Sequence, residues 1–471
     1  MKKYFRLIVG ILLAALIFVR LGNVLEANYD GNQAMDGFYR SEEDTVDVLF
    51  YGSSHVYAGI NVVSLWDEYG IAGYDLAGTM QTLWNSYYNM EETLKYQSPK
   101  VMVVDLYGAL IEEEYYTPTN VVKNASSMRF SLNKVRNIWS SVPHEEFLSY
   151  LLSYPLTHDS YKNLQRNDYV RESDQIGGKW YKGFKPSFAV TRYDKFPKVS
   201  ESIEKRPPSD KNREYLTKMV DLAREQQIQL AFIVVPYESW QSEDEEIYAW
   251  IEEFAENNNV LFLNGNRKLV EMDFDPAVDY AEGSHLNYNG ACKFSGYLGQ
   301  WLVENCELED RRQDKRYQSW QTYSDCWTEY HKNHDLAQIT DLETYIETIK
   351  SDEEYIIFVS VDDKYKNNPY VNVLFQLSSF DPNDFENNGT YVIEAGNLIY
   401  STPDEPEYLW YMETDLSDIA VIRNYGGQMK VLVNNQEQND NYNDVTIFVY
   451  DKNLDMIADV IAYNSDGIII R

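Results

Sequence analysis

This chain is poor in thiols, in positive charge and in long apolar runs. Three cysteines in 471 residues, Cys292, Cys306 and Cys326, include no C-x-x-C pair. That excludes a disulfide framework and a zinc-ribbon or thioredoxin-like site. Lysine and arginine number 41 against 75 acids, for a net charge of −34. A surface of that sign repels a phosphate backbone, so nucleic acid is not an expected partner. The imbalance is uneven: from Asp335 onward there are 26 acids against 7 bases. No repeat with a period of 20–50 residues occurs, which excludes a solenoid.

The longest unbroken apolar run, Leu7 to Val19, is 13 residues, short of the roughly 20 that span a bilayer. Counted from Tyr4 to Leu25, with Arg6 and Arg20 reaching toward headgroups, it attains spanning length. The basic start, MKKYFR, predicts a cytoplasmic N-terminus. The alternative is a cleaved signal peptide. No clear A-x-A site precedes a polar stretch, so residues 1–25 are read as an uncleaved signal-anchor. The bulk of the chain is expected outside the cytoplasm, on a bacterial cell membrane.

What is abundant is tyrosine, 40 residues, within an aromatic content of 15%. Flat apolar rings carrying a hydroxyl suit polar ligands such as sugars. Residues 26–43 are polar and rich in Gly, Asn and Asp, and read as a juxtamembrane linker. Apolar strands then alternate with helical patterns. Strands are expected at Val46–Tyr51, 74–78, 100–108, 228–236 and 260–264. Helices are expected at 60–70, 80–97, 209–227, 242–258 and 289–304, the last with Ala291, Phe294, Leu298 and Leu302 on one stripe. This rhythm predicts an α/β domain over 44–306 with a parallel sheet covered on both faces. Residues 109–208 break it and read as an insertion over the mouth of the sheet. A linker is expected over 307–340. From 341 to 471 a helix and many short strands between Gly/Asn/Asp turns predict a mainly β domain.

The chemistry concentrates in two short stretches. In VDVLFYGSSHVYAG (46–59) a buried strand ends in Gly52, two serines and a histidine. A parallel strand stopping at Gly-x-Ser presents a hydroxyl at the carboxyl edge of the sheet, where α/β proteins build their sites. Ser54 is the favoured nucleophile and Ser53 its competitor, because the residue directly after the turn glycine braces the turn. Ser54 needs a base, and its backbone N–H can face a developing oxyanion. Of six histidines, His285 in DYAEGSHLNYNGA (279–291) alone has an acid three residues before it and a helix just after. Glu282 is the expected orienting acid and Asp279 the substitute. His55, beside the nucleophile, is read either as a substrate contact or as a packing or capping residue. The acidic loops 381–389 and 438–444 offer oxygen ligands for calcium, but solvated turns explain them better. No metal site and no cofactor are expected.

FYGSSH followed by HLNYNGA resembles the SGNH (GDSL-like) hydrolases, in particular the membrane-anchored surface branch with the teichoic-acid D-alanine transfer and alginate acetylation proteins. The resemblance covers about residues 44–304, without the insertion. It implies a flavodoxin-like three-layer α/β/α sandwich and ester chemistry, with Ser54 as nucleophile and Glu282 and His285 as the D-x-x-H pair. It also implies an oxyanion glycine at Gly78. The family's G-x-N-D block has no match; Asp105 and Tyr107 stand in its place. The implied substrates are O-acyl groups of cell-surface glycan or teichoic acid, with a membrane-bound acyl donor protein as a further partner. Residues 341–471 resemble the interleukin-like epithelial-mesenchymal-transition-inducer domain, on Val359–Asp363, Thr446–Asp451 and Ala458–Ala462. That implies a β-sandwich-like module, possible as a sugar binder or as a spacer. The rival to catalysis is a glycan-binding or envelope-assembly protein on the same scaffold.

Overall fold

The computed structural model describes residues 30–115, 124–125, 128–152, 182–196, 203–361, 375–377 and most of 390–470, together with Gly10 and Ile17. Apart from Gly10 and Ile17, the stretch read as an anchor lies outside the described residues, as do the two acidic loops 381–389 and 438–444. Among the described residues, no helix is long and apolar enough to cross a membrane. The chain divides into two compact units, Met1–Ser324 and Asp325–Arg471.

The first unit is a mixed α/β domain. Its sheet holds β1 (Val48–Gly52), β2 (Gly73–Ala77), β3 (Val101–Asp105), β4 (Gln229–Val234) and β5 (Leu261–Asn264). All neighbours pair in parallel, in the order β2-β1-β3-β4-β5. β1, β2 and β3 are buried along their whole length, as expected of parallel strands covered on both faces. Leu49, Tyr51, Met102, Val104, Phe232 and Val234 share one core with the helices Leu83–Thr93, Asp210–Gln226 and Ser242–Asn257. On helix Tyr288–Asn305 the stripe Ala291, Phe294, Leu298 and Leu302 is fully buried, each large side chain contributing about 1.5–3 kcal/mol. That helix is tied to the start of helix Val62–Tyr69: the Asn61 N–H donates to Ser295 Oγ at 2.7 Å.

Two segments depart from the sequence reading. Within 26–43, read as a linker, Asp30–Phe38 is a helix, and Ala34, Met35 and Phe38 are buried. Three apolar residues at helical spacing suffice to dock it, and the polar composition around them hid the pattern. Within 307–340, also read as a linker, Gln318–Gln338 is a helix. Its tryptophans bury (Trp320 is 2% exposed, Trp327 5%), although its charged residues leave no clean period. The division between the two units falls inside it.

Of the insertion, helices Leu132–Ser141 and Phe147–Leu152 are described, as is the stretch 182–196. That stretch is stitched to the domain by its backbone. The Asp75 N–H donates to the Lys182 carbonyl at 2.9 Å and the Lys185 N–H to the Tyr57 carbonyl at 2.7 Å. The Tyr288 N–H donates to the Ser187 carbonyl at 2.7 Å and the Thr191 N–H to the Tyr280 carbonyl at 2.8 Å.

The second unit is antiparallel. A six-stranded sheet has β6 (Tyr355–Val361), β7 (Thr390–Glu394) and β8 (Asn397–Thr402) on one side of β13 (Val445–Asp451), with β14 (Met456–Tyr463) and β15 (Ile469–Ile470) on the other. One face packs on helix Leu342–Ser351. The other, through Phe358, Val392 and Phe448, meets Ile419 and Val431 of a four-stranded sheet made of β9 (Tyr408–Glu413), β10 (Asp418–Arg423), β11 (Met429–Val433) and β12 (Gln436–Glu437).

Candidate active site

β1 delivers its serines at the carboxyl edge of the sheet. Gly52 is required there by close approach: a Cβ on it would sit 2.7 Å from both Asp105 Cβ and Val56 Cγ2. Ser53 then caps helix Ser54–Gly59, its Oγ accepting from the His55 N–H at 3.3 Å and donating to Asp105 Oδ2 at 3.5 Å. The Ser53 hydroxyl is thus committed to the turn. Ser54 is the first residue of the helix, where the backbone N–H has no partner within the helix.

His285 comes from the other end of the domain. It follows a tight turn, Glu282–Ser284, in which Gly283 (φ 70°) and Ser284 (φ 65°) are both left-handed. The turn is closed by the Ala281 N–H donating to the His285 carbonyl at 2.8 Å and by a bridge between Tyr280 and Leu286. It is braced by Ser284 Oγ, 2.8 Å from Ser239 Oγ and 3.4 Å from Glu238 Oε2.

The two segments converge. His285 Nε2 lies 2.7 Å from Ser54 Oγ, across 231 positions of sequence. Ser54 is 6% exposed and His285 is half-buried. The Nδ1 atom of His285 lies 3.0 Å from the Glu282 carbonyl oxygen. A carbonyl only accepts, so this bond puts the proton on Nδ1 and leaves Nε2 free to take one from Ser54.

The partners expected around this pair are arranged otherwise. Glu282 orients His285 through its backbone carbonyl; its carboxylate is on an exposed residue. The cause is the left-handed turn, which folds the chain so that the carbonyl, three residues back, meets the ring. Asp279 is fully buried and cannot substitute. Its Oδ2 accepts from Lys293 Nζ at 2.7 Å and from the Asp275 N–H at 2.6 Å. Gly78 is not an open oxyanion donor: its N–H donates to the Gly52 carbonyl at 3.2 Å. Asp105, 1% exposed, acts as an acceptor behind the serine turn. Its Oδ1 accepts from the Val235 N–H at 3.2 Å and its Oδ2 from the Tyr107 N–H at 3.3 Å. Burial pushes its carboxyl up to about 7, against the pull of those donors.

His55 is 4% exposed. Its ring stacks on Tyr237 (centroids 5.2 Å, 14°) and meets Tyr107 edge-on (4.1 Å, 73°) and His285 edge-on (5.4 Å, 67°). Packing, one of the readings made from sequence, fits these ring contacts. Burial, and then the neighbouring His285 charge, hold its imidazole down at about 3, so it is neutral. Tyr237 is locked in turn, its hydroxyl donating to Asp244 Oδ2 at 3.0 Å and lying 3.0 Å from the Tyr248 hydroxyl.

The sequence reading missed Tyr237, Glu238 and Ser239. They lie just past the end of β4, as Ser53 lies past β1, and that shared edge of a parallel sheet was the available signal. Among the described residues, no cluster of three or more His, Cys, Asp or Glu side chains could hold a metal ion.

No protein-family model matches the chain, and no curated protein matches it. Among solved structures, a protein of Bacteroides fragilis described as a "putative acylhydrolase" aligns at 11% identity with a TM-score of 0.29, over 57% of this chain and 93% of that one.

Proposed function

We propose that the chain is a serine esterase or O-acyltransferase working through an acyl-enzyme. One observation carries this: the 2.7 Å contact between Ser54 Oγ and His285 Nε2, with the imidazole tautomer set by the Glu282 carbonyl. Ser54 attacks an acyl carbonyl while Nε2 takes its proton. The Ser54 N–H faces the oxyanion. The imidazolium returns the proton to the leaving alkoxide, and the acyl group stays on Ser54. Water, activated at the same Nε2, releases a carboxylic acid; a sugar hydroxyl in its place receives the acyl group. The pair is then a dyad, with a backbone carbonyl in the place where a triad has its carboxylate.

The finer fold reading, an SGNH-type three-layer sandwich, is supported by the sheet order, by Gly-x-Ser at the end of β1 and by a histidine just before the last helix of the domain. The proposed substrates are O-acyl esters of cell-surface glycan or teichoic acid, reached from an N-terminal membrane anchor. The β-rich second unit is the proposed carbohydrate-binding part, and a membrane-bound acyl donor protein the proposed partner if the acceptor is a sugar.

A second reading, a non-catalytic glycan-binding protein on this scaffold, is favoured by two observations. The imidazole is held by a carbonyl, and the Gly78 N–H is already bonded. The two readings separate on release of acid from O-acetylated sugars by the full chain. Acetate release that disappears in Ser54→Ala supports the esterase; glycan binding that persists in that variant, with no ester cleaved by wild type, supports the rival.

A further inference from the structure

We propose that His55 is the positioning residue for the catalytic base, its ring doing the orienting work for which His285 has no carboxylate. The inference rests on the Ser54–His285 reading above and concerns a residue which that mechanism leaves unused.

His285 has one hydrogen bond on each ring nitrogen, to Ser54 and to the Glu282 carbonyl. Two bonds, one at each ring nitrogen, leave the ring free to tilt about the line that joins their two partners. A carboxylate would hold the ring by a stronger, charge-assisted bond and would also face the imidazolium charge. Among the described residues, the ring packed against His285 is His55, edge to face at 5.4 Å. Edge-to-face pairs are worth about 0.5–1.5 kcal/mol beyond area burial.

His55 can bear this load because it cannot move. It follows the nucleophile directly, and its N–H is bonded to Ser53 Oγ. Its ring sits between Tyr107 and Tyr237, and Tyr237 is bolted to Asp244 and Tyr248. Its Nδ1 is buried without a hydrogen-bond partner among the described residues. The ring stays neutral next to His285, so the base gains a proton without facing a second charge. A phenyl ring would give the same edge-to-face contact; an aliphatic side chain would not.

Other polar and charged groups lie around His285, and a test holds them constant. These are Ser54 on the facing helix and the Glu282 carboxylate on its own turn. Glu238 and Ser239 after β4 reach it through Ser284, and Tyr193 on the insertion is hydrogen-bonded to Glu238.

The test compares His55→Leu, which keeps volume without a ring, with His55→Phe, which keeps the ring, in the full chain. Thermal melts establish folding. With p-nitrophenyl acetate, His55→Leu is expected to lose about 10- to 100-fold in kcat with KM within twofold, the scale of a misplaced catalytic group. His55→Phe is expected to return to within about threefold of wild type. A second readout needs no turnover: titration of the His285 imidazole by NMR in a Ser54→Ala background. There the midpoint moves with His55→Leu and returns with His55→Phe. Wild-type kcat in His55→Leu, or a folded His55→Phe as slow as His55→Leu, overturns the proposal. If the wild-type chain cleaves no ester, the esterase reading fails, and the titration alone decides whether His55 positions His285.

Discussion

The two halves of the site are held in opposite ways. Ser54 stands two residues past the end of β1, a strand that its two neighbours fix in register, behind a glycine with no room for a Cβ. His285 stands on a loop with two left-handed residues, held by a carbonyl, a serine brace and an aromatic neighbour. The nucleophile is placed by the fold, and the base by local bonds that can be removed one at a time. Tolerance to substitution is therefore expected to differ sharply between them.

The largest effect comes from removing either member of the pair. Ser54→Ala and His285→Ala are each expected to cost roughly 10³–10⁶ in turnover, with melting temperatures close to wild type, since neither is a core residue. An ester-cleaving Ser54→Ala protein breaks the comparison outright.

Next is the anchor of the loop. Lys293→Met strands the fully buried Asp279 carboxylate. Removing one partner of a buried pair costs about 3 kcal/mol or more; Lys293 is a third exposed, which favours the lower end. Denaturant unfolding reads this loss, and kcat falls with it as the His285 turn loosens. An Asp279→Asn, Lys293→Met pair that regains stability but not kcat assigns the contact to positioning.

Protonation sharpens the contrast at the serine side. His55 is depressed in the folded state, to about 3, so its contribution is whole above pH 6.5 and is lost as pH falls toward 3. Asp105 is raised, to about 7, so its contribution is whole below about pH 4 and is lost as pH rises through 7. The two slopes oppose each other between about pH 4 and 6.5. His55→Phe is expected to flatten the acid-side fall in melting temperature. Asp105→Asn is expected to remove the loss toward pH 7. Parallel curves for both variants and wild type contradict this assignment.

The smallest effect is expected at Glu282. Because its carbonyl orients His285, Glu282→Gln is expected to cost less than about threefold in kcat. A triad carboxylate would cost on the order of 10⁴, so kinetics with one ester substrate separates the two arrangements.

The parallel sheet was legible because buried strands read as unbroken apolar runs: VLFYG and VMVVD stand out whatever surrounds them. The helix before Cys306 was legible because its apolar stripe repeats without interruption. The helices Asp30–Phe38 and Gln318–Gln338 were not, because each buries few residues within a polar or charged stretch. At the site, the Gly-x-Ser after an apolar strand and the histidine before an amphipathic helix pointed to Ser54 and His285. The partner of Nδ1 was illegible for a simple reason. Side-chain spacing suggests which acid is near, but the choice between a carboxylate and its own backbone carbonyl is made by the φ angles of Gly283 and Ser284. The state of His55 was equally hidden, since Tyr107 and Tyr237, which bury it, lie 52 and 182 positions away in sequence.

Intact-protein mass spectrometry after exposure to a fluorophosphonate tests the activated serine most directly. The account predicts one adduct per chain, mapped to Ser54, formed much more slowly in His285→Ala and absent in Ser54→Ala. An unmodified wild-type chain, or an adduct that survives loss of the Ser54 hydroxyl, would contradict it.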